Sequence, residues 1–233
     1  MIITIHQPDF MPWYGFFNKI SKVDTWVVLD HVHNNPRKAF WGRRVQILSN
    51  GKPLWLSIPL EKPAQEGQIG IPLNLMKINL QEKKNISKSL RTLEQSYSKS
   101  INFDKYFFLI TDYFLNADNN LMKRNMKFIT DVMDILSIKS NVIFSSSMGI
   151  QTTSTQLLVD ILMENQASEY LCGLGADGYQ DIELFKHNSI KLSFNQFEHP
   201  VYKQLNTDEF FQGLSIIDML FNCDLDYVKE ICT

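Results

Sequence analysis

Two histidines sit where an apolar run gives way to a proline-bearing turn. Met1-Ile2-Ile3-Thr4-Ile5 leads into His6-Gln7-Pro8-Asp9-Phe10-Met11-Pro12-Trp13-Tyr14-Gly15, and a later run leads into Phe197-Glu198-His199-Pro200-Val201-Tyr202. An imidazole exchanges a proton near neutrality, and Gln7 can bind an amide or hydroxyl edge, so the first segment carries the chemistry of a binding site. Pro200 holds His199 in extended geometry and so fixes where its ring points. Each histidine also has a plainer reading. His6 can simply bond backbone in its turn, and His199 can belong to a rigid structural corner. If both face one crevice they form a proton-transfer pair, with Asp30, at the end of the second apolar run, orienting the substrate.

Other groups offer weaker chemistry. Cys172-Gly173-Leu174-Gly175-Ala176-Asp177-Gly178-Tyr179 matches Gly-x-Gly-x-x-Gly, but it comes late in the chain and leaves room only for a short helix over 181–187. A dinucleotide fingerprint is therefore set aside, and an anion cradle at Gly173 and Gly175, bordered by Tyr179, stands beside a simple tight turn. Arg43 and Arg44 follow Trp41 near Arg37 and Lys38. Guanidinium forks clamp diphosphate or carboxylate, yet neighbours on a strand face opposite sides, so only Arg44 is expected to reach the site, with a charged sheet surface as the alternative. The rings of Trp13 and Trp41 can stack on a base or sugar, and Tyr202 joins them as a substrate contact. His31 and His33 form one His-x-His, too few ligands for zinc, so no metal is expected. Cys223 lies among apolar neighbours, where a thiol packs rather than reacts. No cofactor can be named from these residues.

The elements that must position these groups read as α/β. Apolar runs at 1–5 and 25–29 flank a helix expected over about 12–21, with Pro12 in its first turn and Phe16, Phe17 and Ile20 facing inward. Two strands at 41–48 and 53–60 are joined by Asn50-Gly51, a hairpin signal. Residues 61–73 read as a surface loop that can act as a lid, and 75–80 as a further strand. Three helices are expected over about 82–137. Strands at 140–146 and 168–172 flank a helix opened by Thr152-Thr153-Ser154-Thr155, and a strand over 190–197 and a helical end from residue 214 follow. The expected whole is one α/β domain over 1–233, a mixed, partly parallel sheet with flanking helices and a helical middle segment.

Size and charge bound the function. The chain has 233 residues and a formal net charge of -2. That length buries a core without staples, and the slight acidity argues against a nucleic-acid binder. Three cysteines without zinc spacing point to a reducing compartment. With no charged leader and no apolar run near the ~20 residues that span a bilayer, the expectation is a cytoplasmic protein without membrane insertion.

The segment from His6 to Gly15, with Trp26-Val27-Val28-Leu29-Asp30, resembles the opening of the WbqC-like family of bacterial surface-polysaccharide biosynthesis proteins. Trp41-Gly42-Arg43-Arg44, Glu94-Gln95-Ser96-Tyr97, Tyr170-Leu171-Cys172-Gly173, Glu198-His199-Pro200-Val201-Tyr202 and Leu214-Ser215-Ile216-Ile217-Asp218 follow in the family's order. Where relatives carry a histidine, this chain has Ser89. The resemblance implies O-antigen biosynthesis and a transferase that acylates, or glycylates, the amine of a nucleotide-linked sugar using an activated acyl donor. One histidine would then deprotonate the attacking amine, while Gln7 or backbone N–H groups receive the oxyanion. A noncatalytic nucleotide-sugar-binding or assembly module is the alternative. The many aromatics leave room for a homo-oligomer.

Overall fold

A computed structural model of the chain describes residues 1–35, 40–62, 70–173 and 180–232. Its centre is a five-stranded sheet built from β1 (Ile2–His6), β2 (Thr25–Val28), β7 (Asn141–Phe144), β8 (Glu169–Gly173) and β9 (Lys191–Asn195). Every pairing in it is parallel, in the order β7-β2-β1-β8-β9. The chain moves outward from β1 to β2 and β7, then returns to β8 and β9 on the other side. The carboxyl ends of β1 and β8 are therefore the topological switch point, where open parallel sheets leave a crevice between diverging connections. The expected antiparallel pairing is present in two small sheets of its own. β3 (His33–Asn34) pairs with β6 (Ile71–Pro72), and β4 (Arg44–Ser49) with β5 (Lys52–Ser57).

Parallel sheets are covered on both faces. Trp26 and Val28 join one core with α1 (Tyr14–Ser21), the hairpin strands and the helices α2 (Lys83–Tyr97), α3 (Phe103–Tyr106), α4 (Phe108–Leu115) and α5 (Leu121–Leu136). The same core takes in α8 (Ile216–Asn222) and α9 (Leu225–Cys232). Ile3, Ile5 and Val27 point the other way, onto α6 (Ser154–Glu164) and α7 (Ile182–His187). Strand alternation thus divides one sheet between two cores.

Several expected boundaries move. Pro12 stands outside α1, because its carbonyl accepts the Ile216 N–H at 2.8 Å and Trp13 bridges Ser215, which draws the preceding segment into extended backbone. Residues 75–80 form no strand. Leu73–Leu75 is a 3-10 turn, and the chain beyond it makes only the single bridges Leu60 to Ile78 and Lys77 to Asn120. The middle segment breaks into α2 to α5 rather than three helices, with a step at Phe107. Thr153 precedes α6 without donating or accepting a side-chain cap. The hairpin does follow its Asn-Gly signal, with φ of 50° at Asn50 and 71° at Gly51. A Cβ on Gly51 would stand 2.2 Å from the Asn206 carbonyl oxygen, so packing as well as φ requires glycine there.

Candidate functional site

A crevice of about 460 Å³ opens at the switch point, lined by Ile5 and His6 of β1, Lys19 of α1, Tyr170 and Gly173 of β8, and Asn195 of β9. Trp13, Gly15, Phe16 and Phe197 complete its wall. Gly15 is the reason two large rings meet there. A Cβ at that position would lie 2.5 Å from the Trp13 ring and 2.6 Å from Phe197.

The loop leaving β1 is held from several sides. Met11 is fully buried with φ of 43°, a conformation uncommon for a residue with a side chain and more so before proline. Ser215 Oγ donates to its carbonyl at 2.7 Å, and the Phe10 N–H donates to the Trp41 carbonyl at 2.9 Å. Asn125, wholly buried, donates from Nδ2 to the carbonyls of Pro8 and Gly42, both at 2.8 Å, and accepts from the Tyr113 hydroxyl. Long-range bonds of this kind sustain a strained backbone, and such strain gathers at functional sites.

His6 is fixed by one nitrogen and open at the other. Nδ1 lies 2.8 Å from the Gln7 carbonyl, which can only accept, so the proton sits on Nδ1 and Nε2 keeps its lone pair. Nε2 has no hydrogen-bond partner among the described residues, and about a third of the side chain is exposed, within the crevice. Burial, and then the Lys19 ammonium, push the imidazole well below its ordinary 6.5, so it is neutral at physiological pH. Asp9 Oδ2 lies 3.9 Å from Nδ1. Burial raises the Asp9 carboxyl to about 7, against the pull of Lys19. Lys19 is itself lowered to about 8, by burial first, with Asp9 opposing. Three titratable groups thus share one largely desolvated corner.

His199 is placed differently. Its Nε2 accepts the Gly213 N–H at 3.1 Å and its Nδ1 faces the Pro200 carbonyl at 3.3 Å, so both nitrogens are engaged in the neutral ring. It reaches the crevice through its neighbours, stacking on Trp13 with 6.0 Å between centroids and tilting against Phe197. Tyr202 donates to Asp218 Oδ2 at 2.7 Å and Tyr97 donates to Oδ1 at 3.0 Å, a buried cluster behind the wall. Burial raises Asp218 to about 6.

The remaining expected residues divide between places. Gln7 accepts from Asn34 at 3.0 Å. Asp30 lies two residues beyond the end of β2, 2 % exposed, and its carboxylate accepts from the Ser146 N–H and hydroxyl and the Ser145 hydroxyl. Trp41 and Arg44 belong to the hairpin surface. The Arg44 guanidinium lies 4.2 Å over the Trp55 ring, and Trp41 packs on the same ring at 5.6 Å. Beside them a groove of about 620 Å³ between β5 and α2 is lined by Arg43, Trp55, Lys62, Glu82 and Lys88, so Arg43 rather than Arg44 faces it. Gly175, Tyr179, Arg37 and Lys38 lie outside the described residues, as does most of the loop read as a lid. Among the described residues no cluster of His, Cys, Asp or Glu is placed to hold a metal ion. Cys223 is buried, and burial pushes its thiol up to about 12.

Asp9 and Lys19 were not singled out from the sequence. Lys19 carried a readable signal: it follows Phe16 by three residues and precedes Ile20, so a helix must turn it toward the apolar side.

The WbqC-like protein family matches residues 7–230, nearly the whole chain. The chain belongs to the WbqC-like protein family. The uncharacterized protein Rv1507c of Mycobacterium tuberculosis (strain ATCC 25618 / H37Rv) is 25% identical over 223 residues, covering 94% of this chain and 93% of that protein. No solved structure matches the chain. Among the described residues, no helix is long and apolar enough to cross a membrane.

Proposed function

We propose that this WbqC-like protein is a transferase of surface-polysaccharide biosynthesis that acylates the amine of a nucleotide-linked sugar in the switch-point crevice. The observation that carries the reading is the His6 ring, which lines the crevice with Nδ1 held by the Gln7 carbonyl and Nε2 without a hydrogen-bond partner among the described residues. In amide formation the attacking nitrogen loses a proton as the acyl carbonyl becomes an oxyanion. Nε2 takes that proton and returns it to the donor's leaving group as the oxyanion collapses and the bond between acyl group and carrier breaks. The Asp9 carboxylate, 3.9 Å from Nδ1, stabilises the imidazolium that results. Backbone N–H groups or Gln7 receive the oxyanion, and Trp13 and Phe197 supply ring faces for the sugar. Trp41 and Arg44, off the crevice, are assigned to the remainder of the nucleotide-linked ligand, and His199 and Tyr202 to holding the wall.

A second reading, a noncatalytic nucleotide-sugar-binding module, is favoured by one observation. With both His199 nitrogens engaged, His6 has no histidine partner free for proton transfer. Purified protein incubated with nucleotide-linked amino sugars and activated acyl donors separates the two, with product followed by mass. Acylated sugar supports the transferase. Ligand-dependent thermal stabilisation without product supports the module and removes the transferase.

A further inference from the structure

We infer that Lys19 is the anion anchor of the crevice, and that the ligand bound there presents a phosphate or carboxylate group to it. Lys19 is 5 % exposed, yet it lines the crevice. Its ammonium makes no hydrogen bond and no ion pair within 4 Å among the described residues. A buried cation without a bonded counter-ion is expensive, and protein interiors rarely keep one that nothing binds. The groups facing it are Asp9 from the loop after β1, His6 from β1 and Cys172 from β8. Asp9, held near neutrality, offers only partial compensation. Nearby Asn195 is already used, accepting from Lys22 at 3.1 Å and donating to Asn18 at 3.2 Å. The first turn of α1, whose cap residue Trp13 supplies no side-chain acceptor, borders the same space at Gly15 and Phe16. The dipole of that helix favours negative charge at its first turn as well.

Occupancy has a consequence for His6. An anion on Lys19 cancels the nearby positive charge that depresses the imidazole, so the ligand itself makes His6 a stronger base. The inference rests on the crevice being the ligand site.

Its test uses inorganic pyrophosphate and succinate as probes of the two anion sources, with binding followed by calorimetry on the full chain. The expected result is that one of them binds the native protein and binds Lys19→Met about thirtyfold or more weakly, while Lys88→Met in the hairpin groove binds as the native does. A measurement without substitution guards against misfolding of Lys19→Met. Binding at pH 8, compared across buffers of different ionisation enthalpy, should show proton uptake by the native protein. No binding of either anion, equal binding by Lys19→Met, or no proton uptake would overturn the anchor. Product formed without any anion binding would sink this inference and spare the transferase; anion binding without product would do the reverse.

Discussion

The ends of β1 and β9 look alike in sequence and differ in what they leave available. Each is a parallel strand running into a proline-bearing turn with a histidine. At β1, a backbone carbonyl takes Nδ1 and the second nitrogen of this crevice-lining ring has no hydrogen-bond partner among the described residues. At β9, a carbonyl faces Nδ1 and a backbone N–H takes Nε2, so the ring is a fastener for the 197–213 segment. Fixing one nitrogen orients a base, whereas fixing both consumes it. The lesson is that a histidine's second partner decides its use, and that partner comes from a residue 14 positions away at His199, beyond any local motif.

The largest expected effect comes from His6→Gln. It should lower turnover by about 10²–10⁴ while leaving the thermal midpoint near the native value, measured by product formation and calorimetry; a native rate would put His6 on a par with His199. Asp9→Asn addresses the charge behind His6. The native rate should rise with pH through about 7 as Asp9 ionises, and the variant should lose that limb. For His199→Ala the order of effects reverses. Stability should fall by about 1–3 kcal/mol, because the Gly213 N–H loses its acceptor, while turnover stays within about tenfold of native.

The last effect, on stability alone, concerns the wall behind His199. Asp218 has a folded value of about 6 against an ordinary 3.8, so the native state holds its proton more tightly than the unfolded chain. Stability from this group is full below pH 4 and lost as pH rises toward 6. His6 and His199, both lowered, act with the opposite sign, and their contribution is lost as pH falls below 6.5. Relative to native, Asp218→Asn should therefore gain up to about 3 kcal/mol between pH 4 and pH 6 in denaturant unfolding.

Much of this arrangement was legible beforehand. Alternation of apolar runs with helical patterns implied parallel β/α units, and Asn50-Gly51 announced its hairpin through the positive φ both residues adopt. The segment from His6 to Trp13 declared itself by concentrating polar and aromatic residues at a strand end. Residues 75–80 misled, because their apolar content serves single bridges to two distant segments rather than a ladder. Trp41 and Arg44 could not be assigned to the hairpin surface until Trp55 was seen beneath the guanidinium. Lys19 escaped for a different reason. Charged residues on helices are solvated by default, a rule that outweighs the spacing of Lys19 from Phe16 until the packing of α1 against β8 is seen.

The most direct test of the account is a crystal structure of the protein soaked with a nucleotide-linked amino sugar. The sugar amine should lie within hydrogen-bonding distance of His6 Nε2, in the crevice between β1 and β8. A ligand seated in the groove between β5 and α2, with that crevice unchanged, would contradict it.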